Sequence, residues 1–168
     1  MKRLRPAWGS HLPVLIKAMQ FTTGDVVECG CGHYSTPFLH WACFDQDRTL
    51  KTYEGNEEWY SLFTHFQTKK HSMQYITDWD SIDLSIPIGL AFIDHGSGDH
   101  TPGDRRWKEA QRLLHADLVV LHDAGGKDGV KYGYDKLKGL FKYTWMYRKA
   151  RPMTAIVSNK LNCRKLFS

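Results

Sequence analysis

The chain of 168 residues carries a net charge of +5, with 42% hydrophobic and 13% aromatic residues. This composition excludes a disordered chain, and its longest apolar runs are far shorter than the roughly 20 residues of a transmembrane helix. We therefore expect one domain, residues 1–168, with a single hydrophobic core.

The four cysteines are expected to be reduced thiols. Cys29 and Cys31 form a Cys-Gly-Cys sequence, and Cys43 and Cys163 stand alone, so the Cys-x-x-Cys spacing typical of zinc sites is missing. The basic start, residues 1–6, lacks the apolar region of a signal peptide. Both features favour a cytoplasmic protein without a membrane partner.

The hydrophobic pattern predicts helices and strands that alternate along the chain. An N-terminal helix or lid occupies residues 1–20, with its periodic part at Ser10–Phe21, and a basic tail occupies residues 159–168. The first predicted strand ends at Glu28, and six more cover residues 49–54, 72–76, 88–93, 118–121, 143–147 and 153–157. Predicted helices cover residues 37–44, 57–66 and 103–115, and a last one follows the Gly-rich loop 124–129 and ends near Phe141.

Alternating strands and helices indicate an α/β fold. We predict a Rossmann-like, doubly wound sheet of seven mostly parallel strands with helices on both faces. The segment 78–87 is too short for a full helix, and the last two strands are too close for a crossover, so they are predicted to form an antiparallel hairpin.

A glycine-rich turn follows the first predicted strand. Gly30 and Gly32 allow the backbone to approach a ligand, and Ser35 or Thr36 is a favourable N-cap for the next helix. A carboxylate at Glu28 disfavours a pyrophosphate and suits a cationic ligand. Ser35 also replaces the third glycine of the dinucleotide-binding fingerprint, which disfavours a nicotinamide cofactor.

The sequence Glu28-Cys29-Gly30-Cys31-Gly32 resembles the first motif of class I S-adenosylmethionine-dependent methyltransferases. The resemblance extends from about residue 20 to residue 158 and implies S-adenosylmethionine as the cofactor. The cofactor-binding residues that it implies are Glu28, Cys29, Gly30, Gly32, Ser35, Thr36, Glu54, Gly55, Asp78, Trp79 and Asp94.

Acids at the ends of successive predicted strands support this resemblance. Glu54 lies 26 residues after Glu28 and is expected to accept hydrogen bonds from the ribose hydroxyls. Asp78 is expected to accept from the adenine amino group, while Trp79 supplies an apolar face for the ring. Asp94 ends the fourth strand, next to the expected methyl-transfer centre.

The predicted catalytic residues are Asp94, His95, His122 and Asp123. His95 or His122 is a candidate general base. Asp94 and Asp123 end neighbouring strands, and their pairing resembles the metal-dependent O-methyltransferases of the catechol type, which implies Mg²⁺ or another divalent cation. Ala124 stands where that family usually has an amide ligand.

We therefore expect an enzyme that methylates an oxygen of a small molecule or sugar-like metabolite. Residues 125–168 hold eleven Lys or Arg against two Asp, which favours an alternative, methylation of a nucleic acid such as RNA. A further alternative is a binding module for S-adenosylmethionine without catalysis. The sequence leaves the oligomeric state open.

Overall fold

A computed structural model describes residues 5–96 and 105–168, which build a seven-stranded sheet. The strands are β1 (Asp25–Cys29), β2 (Leu50–Glu54), β3 (His71–Tyr75), β4 (Ile88–Ile93), β5 (Leu118–Leu121), β6 (Tyr143–Tyr147) and β7 (Thr154–Ser158). Their order is β3-β2-β1-β4-β5-β7-β6. Strand β7 runs antiparallel to β5 and β6, and the other neighbouring pairs are parallel. The predicted seven-stranded fold with its antiparallel hairpin is confirmed.

Four of the predicted helices are observed as shorter elements, whereas the helix predicted at residues 37–44 is longer and covers residues 35–45. They are α1 (Leu12–Phe21), α2 (Ser35–Asp45), α3 (Glu57–Ser61), α4 (Arg106–Arg112), α5 (Gly126–Lys131) and α6 (Cys163–Phe167). The segment 57–66 divides into α3 and a 3-10 turn at Thr64–Phe66. After α5, Gly133 adopts a φ of 73° and ends the helix, and a 3-10 turn follows at Tyr134–Leu137. The predicted helix 103–115 is observed as α4, and residues 103 and 104 lie outside the described residues.

The expected basic tail contains a packed helix. In α6, Cys163 is fully buried and Phe167 is nearly so, and both join the core cluster that also holds Leu15 and Leu39. The basic side chains Arg164 and Lys165 lie on the exposed side of the same helix. The apolar residues 163 and 167 are four positions apart and therefore share one face of the helix.

The central strands are buried on both faces. Along β4, Ala91 and Ile93 contact one hydrophobic cluster, whereas Leu90 and Phe92 contact the cluster on the other side of the sheet. Such a continuous apolar strand is typical of a parallel sheet covered by helices. The strand order reverses between β1 and β4, so a crevice opens at the carboxyl ends of these strands.

No helix among residues 5–96 and 105–168 is long and apolar enough to cross a membrane. The four cysteines are free and buried.

The turn after β1 depends on a glycine at position 30. Gly30 has a φ of 97°, and a Cβ atom there would collide with the backbone of His95. We expect Gly30→Ala to destabilise the fold by roughly 2–5 kcal/mol, from the left-handed backbone and the collision together. Gly139→Ala is the matched control, because Gly139 has a φ of 85° but open space around it, so only about 1–2 kcal/mol should be lost. Urea unfolding measures both values, and equal losses would contradict the close packing of the turn.

Candidate functional site

A cavity of about 510 Å³ lies at the carboxyl ends of the central strands. At one end it is lined by Glu54, Trp59 and the turn residues 31–35, which follow β1 and β2. At the other end it is lined by His11, Asp94, His122 and Asp123, next to the ends of β4 and β5. Its volume lies within the usual range of small-molecule sites, about 300–1,000 Å³.

Glu28 stabilises the glycine turn through hydrogen bonds on the side away from the cavity. Its carboxylate is fully buried and accepts hydrogen bonds from the hydroxyl of Thr36, at 2.9 and 3.0 Å, and from that of Thr52, at 2.8 Å. Thr36 Oγ1 in turn accepts from the backbone N–H of Gly32 at 2.9 Å. Glu28 and the fully buried Cys29 therefore lie behind the turn and do not line the cavity.

Glu54 faces the cavity and is held by backbone donors. Its Oε2 accepts from the N–H of Cys31 at 3.0 Å, and its Oε1 accepts from the N–H of Asn56 at 2.9 Å. Burial raises the pKa of Glu54, and these two hydrogen bonds oppose the rise. Gly55 and Ser35 also line this end of the cavity.

An aromatic side chain that the sequence reasoning missed forms the wall beside Glu54. Trp59 lies on α3 and lines the cavity, and its Nε1–H donates to the carbonyl of Cys31 at 2.5 Å. Asn56 caps α3 by accepting from the backbone N–H of Trp59 at 2.7 Å. The sequence signal for this residue is the Asn-Glu-Glu segment directly after Glu54, which predicts a helix N-terminus and so places Trp59 in the first turn beside the end of β2.

Asp78 and Trp79 lie away from the cavity. Trp79 is 1% exposed and packs in the core, with its ring 4.2 Å from that of His95 between centroids. Asp78 is exposed and caps a 3-10 turn by accepting from the N–H of Asp80 at 2.9 Å. The structure therefore places Trp59, and not Trp79, next to Glu54.

The carboxylates of Asp94 and Asp123 converge on one guanidinium. Arg106, at the start of α4, is 2% exposed, and its Nη1 lies 3.0 Å from Asp94 Oδ1 and 3.2 Å from Asp123 Oδ2. The same side chain donates to three backbone carbonyls and stacks 3.7 Å over the ring of Tyr132. Arg106 thus already relieves the repulsion between the two acids, and the pair does not fit a shared Mg²⁺ ion in this arrangement.

The electrostatic environment shifts the pKa values of Asp94 and Asp123 in opposite directions. Burial opposes the ionisation of Asp94, but His122 and Arg106 outweigh it and hold the pKa of Asp94 below its usual range. Burial and the charge of Asp94 raise the pKa of Asp123. Asp123 also adopts a φ of 55°, a left-handed conformation that aspartate tolerates better than most residues.

The two candidate histidines have different surroundings. His122 lines the cavity, with its Nδ1 3.1 Å from both carboxylate oxygens of Asp94 and its Nε2 2.8 Å from the hydroxyl of Ser10. His95 is 1% exposed and lies outside the cavity lining, with its Nε2 2.9 Å from Glu109 Oε2. The structure therefore brings His122, and not His95, to the cavity.

The N-terminal segment contributes two further residues that sequence reasoning missed. Ser10 and His11 are buried, and both contact His122. A serine and a histidine before an apolar helix have no recognisable motif, so only their packing against the end of β5 reveals them.

No protein-family model and no curated protein matches the sequence. Solved structures do match it. Cofactor-bound Rv0187 from MTB aligns with a TM-score of 0.66 at 16% identity, covering 95% of this chain and 83% of that one. Human methyltransferase-like protein 13, in complex with SAH, aligns with a TM-score of 0.63 at 12% identity, covering 94% and 87%. An S-adenosylmethionine-dependent O-methyltransferase from Thermotoga maritima aligns with a TM-score of 0.61 at 14% identity, covering 96% and 68%.

The chain has the class I S-adenosylmethionine-dependent methyltransferase fold. The resemblance stated from residues 28–32 is confirmed at the level of the fold. In this methyltransferase fold the glycine turn lies between Glu28 behind it and the cavity in front.

Glu28 gives the fold a testable pH dependence. Burial raises the pKa of Glu28 from 4.5 to about 7, although Ser35, Thr52 and Thr36 oppose the rise. Because the folded state holds this proton more tightly than the unfolded chain, its stabilising effect is complete below about pH 4.5 and is lost as the pH rises through 7. The loss should be on the order of 3 kcal/mol.

Glu28→Gln keeps the size and the acceptor oxygen but removes this titration. We expect the variant to lose less stability than the wild type between pH 5 and pH 8 in urea unfolding. Glu57→Gln on exposed α3 is the matched control and should follow the wild type. Parallel stability curves for Glu28→Gln and the wild type would show that Glu28 stays ionised in the fold.

Proposed function

We propose that the protein is an S-adenosylmethionine-dependent methyltransferase that transfers a methyl group to an oxygen of a small molecule or sugar-like metabolite. The observation that carries this proposal is the cavity with two chemically different ends. One end presents Glu54 beside the glycine turn and an indole ring, and the other presents Asp94, His122 and Asp123.

The end at β1 and β2 suits the cofactor. Glu54 presents its carboxylate to the cavity and is the proposed acceptor for the ribose hydroxyls, beside the hydrogen bonds that it accepts from the N–H and thiol of Cys31 and the N–H of Asn56. Trp59 offers an aromatic surface for the adenine ring, the role that the sequence pattern assigned to Trp79. The SAM and SAH bound in solved structures with this fold, TomG from Streptomyces achromogenes and human methyltransferase-like protein 13, support this cofactor.

The end at β4 and β5 suits the methyl acceptor. In an in-line displacement the acceptor oxygen forms a bond to the methyl carbon while the bond from that carbon to sulfur breaks, and the hydroxyl proton passes to a base. Asp123 and His122 both line the cavity, and Asp123 is the better candidate for that base, because both ring nitrogens of His122 already contact Ser10 and Asp94. Asp94 orients the ring of His122 through the contact of its carboxylate with Nδ1.

A nucleic acid is the second candidate acceptor. The supporting observation is another cavity, of about 700 Å³, beside β6, which is lined by Lys138, Arg148 and Arg164 together with Trp145. Cationic groups with an aromatic ring suit phosphates and unstacked bases. Methyl transfer to RNA with a steep salt dependence would favour this candidate, whereas transfer to small hydroxyl compounds favours the first.

The first functional prediction concerns Glu54. Glu54→Ala removes the proposed ribose acceptor and should weaken SAH binding by about 1.5–3 kcal/mol, the range for hydrogen bonds to a charged group. Isothermal titration calorimetry measures the affinity, and Glu57→Ala, an exposed acid three residues further on, is the control. A folded Glu54→Ala protein with wild-type affinity would contradict the cofactor assignment. A wild type that binds neither SAM nor SAH would refute the proposed function as a whole.

The second functional prediction separates binding from chemistry at Asp123. Asp123→Asn should leave the affinity for SAH within about threefold but lower the methyl-transfer rate by 10²–10⁴, the usual contribution of a general base. Transfer is followed by SAH release with a panel of phenols, sugars and total RNA as acceptors. Asp128→Asn on exposed α5 is the matched control. If SAM binds and none of the acceptors is methylated by the wild type, a binding module without catalysis becomes the better description.

A further inference from the structure

The side chain of His11 is buried without a hydrogen-bond partner. It is 2% exposed, and neither ring nitrogen has a partner within residues 5–96 and 105–168. An unpaired buried polar group costs about 1–3 kcal/mol, and such a group in a folded protein requires an explanation such as a water or an ion.

The free nitrogen lies near two other metal-ligand atoms. One donor atom each of His11, Asp94 and His122 lies within 4.8 Å of the others. The three residues come from the start of α1, the end of β4 and the end of β5, and they line the same cavity. Their convergence is therefore a product of the tertiary structure and not of a local sequence motif.

The hydrogen bonds of Ser10 orient the ring of His122. The carbonyl of Pro152 can only accept, so the single proton of the Ser10 hydroxyl is directed to it at 2.8 Å. The oxygen of Ser10 then accepts from His122 Nε2–H at 2.8 Å. In the neutral imidazole this leaves the lone pair on Nδ1, which faces the carboxylate of Asp94 at 3.1 Å.

An unprotonated Nδ1 and a carboxylate at 3.1 Å need a positive species between them, either the second proton of a protonated His122 or a metal ion. Two ligands that bind one Zn²⁺ ion at about 2.0–2.1 Å in tetrahedral geometry lie roughly 3.3 Å apart, close to the observed separation. Arg106 pairs with Oδ1 of Asp94, which leaves Oδ2 for an ion. Ser10 and Arg106 are thus arranged as the outer-shell partners that usually hold metal ligands in place.

We propose that His11, Asp94 and His122 bind one transition-metal ion, of which Zn²⁺ is the best match to two imidazoles and a carboxylate. The ring of His11 must move toward the other two ligands to complete the site, because the three donor atoms lie within 4.8 Å of one another, whereas two ligands of one tetrahedral Zn²⁺ ion lie roughly 3.3 Å apart. An open fourth position would face the cavity, and a Zn²⁺ ion there lowers the pKa of an oxygen that binds to it. The site differs from the predicted pair Asp94 and Asp123, and its existence does not depend on the proposed methyl transfer.

The charges at this end of the cavity are compatible with a divalent ion. The ionised groups Asp94, Asp123 and Arg106 together carry a charge of about −1 when His11 and His122 are neutral. The competing arrangement is a protonated His122 paired with Asp94, which also satisfies Nδ1 but leaves His11 without a partner among the described residues. Metal binding distinguishes the two.

The test uses the full chain without an affinity tag, stripped with a chelator and then titrated with Zn²⁺ against a chromophoric competitor. We expect one equivalent of Zn²⁺ per chain, and Co²⁺ in its place should give the intense visible absorption of a four-coordinate ion. His11→Ala should weaken Zn²⁺ binding by at least about 100-fold, and Ser10→Ala by about 10–100-fold, the range for an outer-shell partner. His65→Ala, an exposed histidine outside the set, is the matched control and should bind as the wild type does.

Three results would overturn the proposal: less than one equivalent bound by the folded wild type, a Co²⁺ spectrum typical of six-coordinate surface binding, or unchanged affinity in His11→Ala. Circular dichroism checks the fold, and His11→Gln replaces His11→Ala if the smaller side chain prevents folding. A parallel SAH titration keeps the two proposals apart. Zn²⁺ binding without SAH binding would refute the methyltransferase alone, and SAH binding without Zn²⁺ binding would refute the metal site alone.

Discussion

The buried guanidinium of Arg106 is the interaction on which the arrangement of the site depends. It donates to the backbone carbonyls of Asp94, His95 and His122 and pairs with the carboxylates of Asp94 and Asp123. The pairing of β4 with β5 ends at Ile93 and Leu121, so the carbonyls of Asp94, His95 and His122 lie beyond the strand ladder. Arg106 supplies those donors from α4 and so connects the ends of β4 and β5.

This connection also determines the charge of the cavity. An unpaired buried guanidinium would cost several kcal/mol, and so would two unpaired carboxylates. Together they satisfy one another, which allows Asp94 to remain ionised while it is also held by His122. The acceptor end of the cavity is therefore a shared network, and a change in one of its members alters the protonation of the others.

The glycine turn at the opposite end of the cavity is also held by a buried carboxylate, but the groups that donate to it are neutral hydroxyls. Glu28 accepts hydrogen bonds from the hydroxyls of Thr36 and Thr52. The Thr36 hydroxyl oxygen in turn accepts a hydrogen bond from the N–H of Gly32. The acid of the motif thus fixes the backbone that would surround a ligand, whereas Glu54 on the neighbouring strand faces the cavity directly. The two acids look equivalent in the sequence, but one lies behind the turn and the other in front of it.

The sequence alone was sufficient for the sheet, its hairpin, the glycine turn and the positions of Glu54, Asp94 and Asp123 beside the strand ends, because these follow from hydrophobic runs and from chain order. It did not distinguish Trp59 from Trp79 or His122 from His95, since each pair consists of similar residues beside a strand end. Which member faces the cavity depends on how the short segment after the strand turns, as in Asp123 with its φ of 55°. Ser10 and His11 reach the site only by tertiary packing, because they lie about 80 to 110 positions before Asp94 and His122 in the chain. Arg106 contacts residues 11 to 17 positions away, which no helical or strand periodicity records.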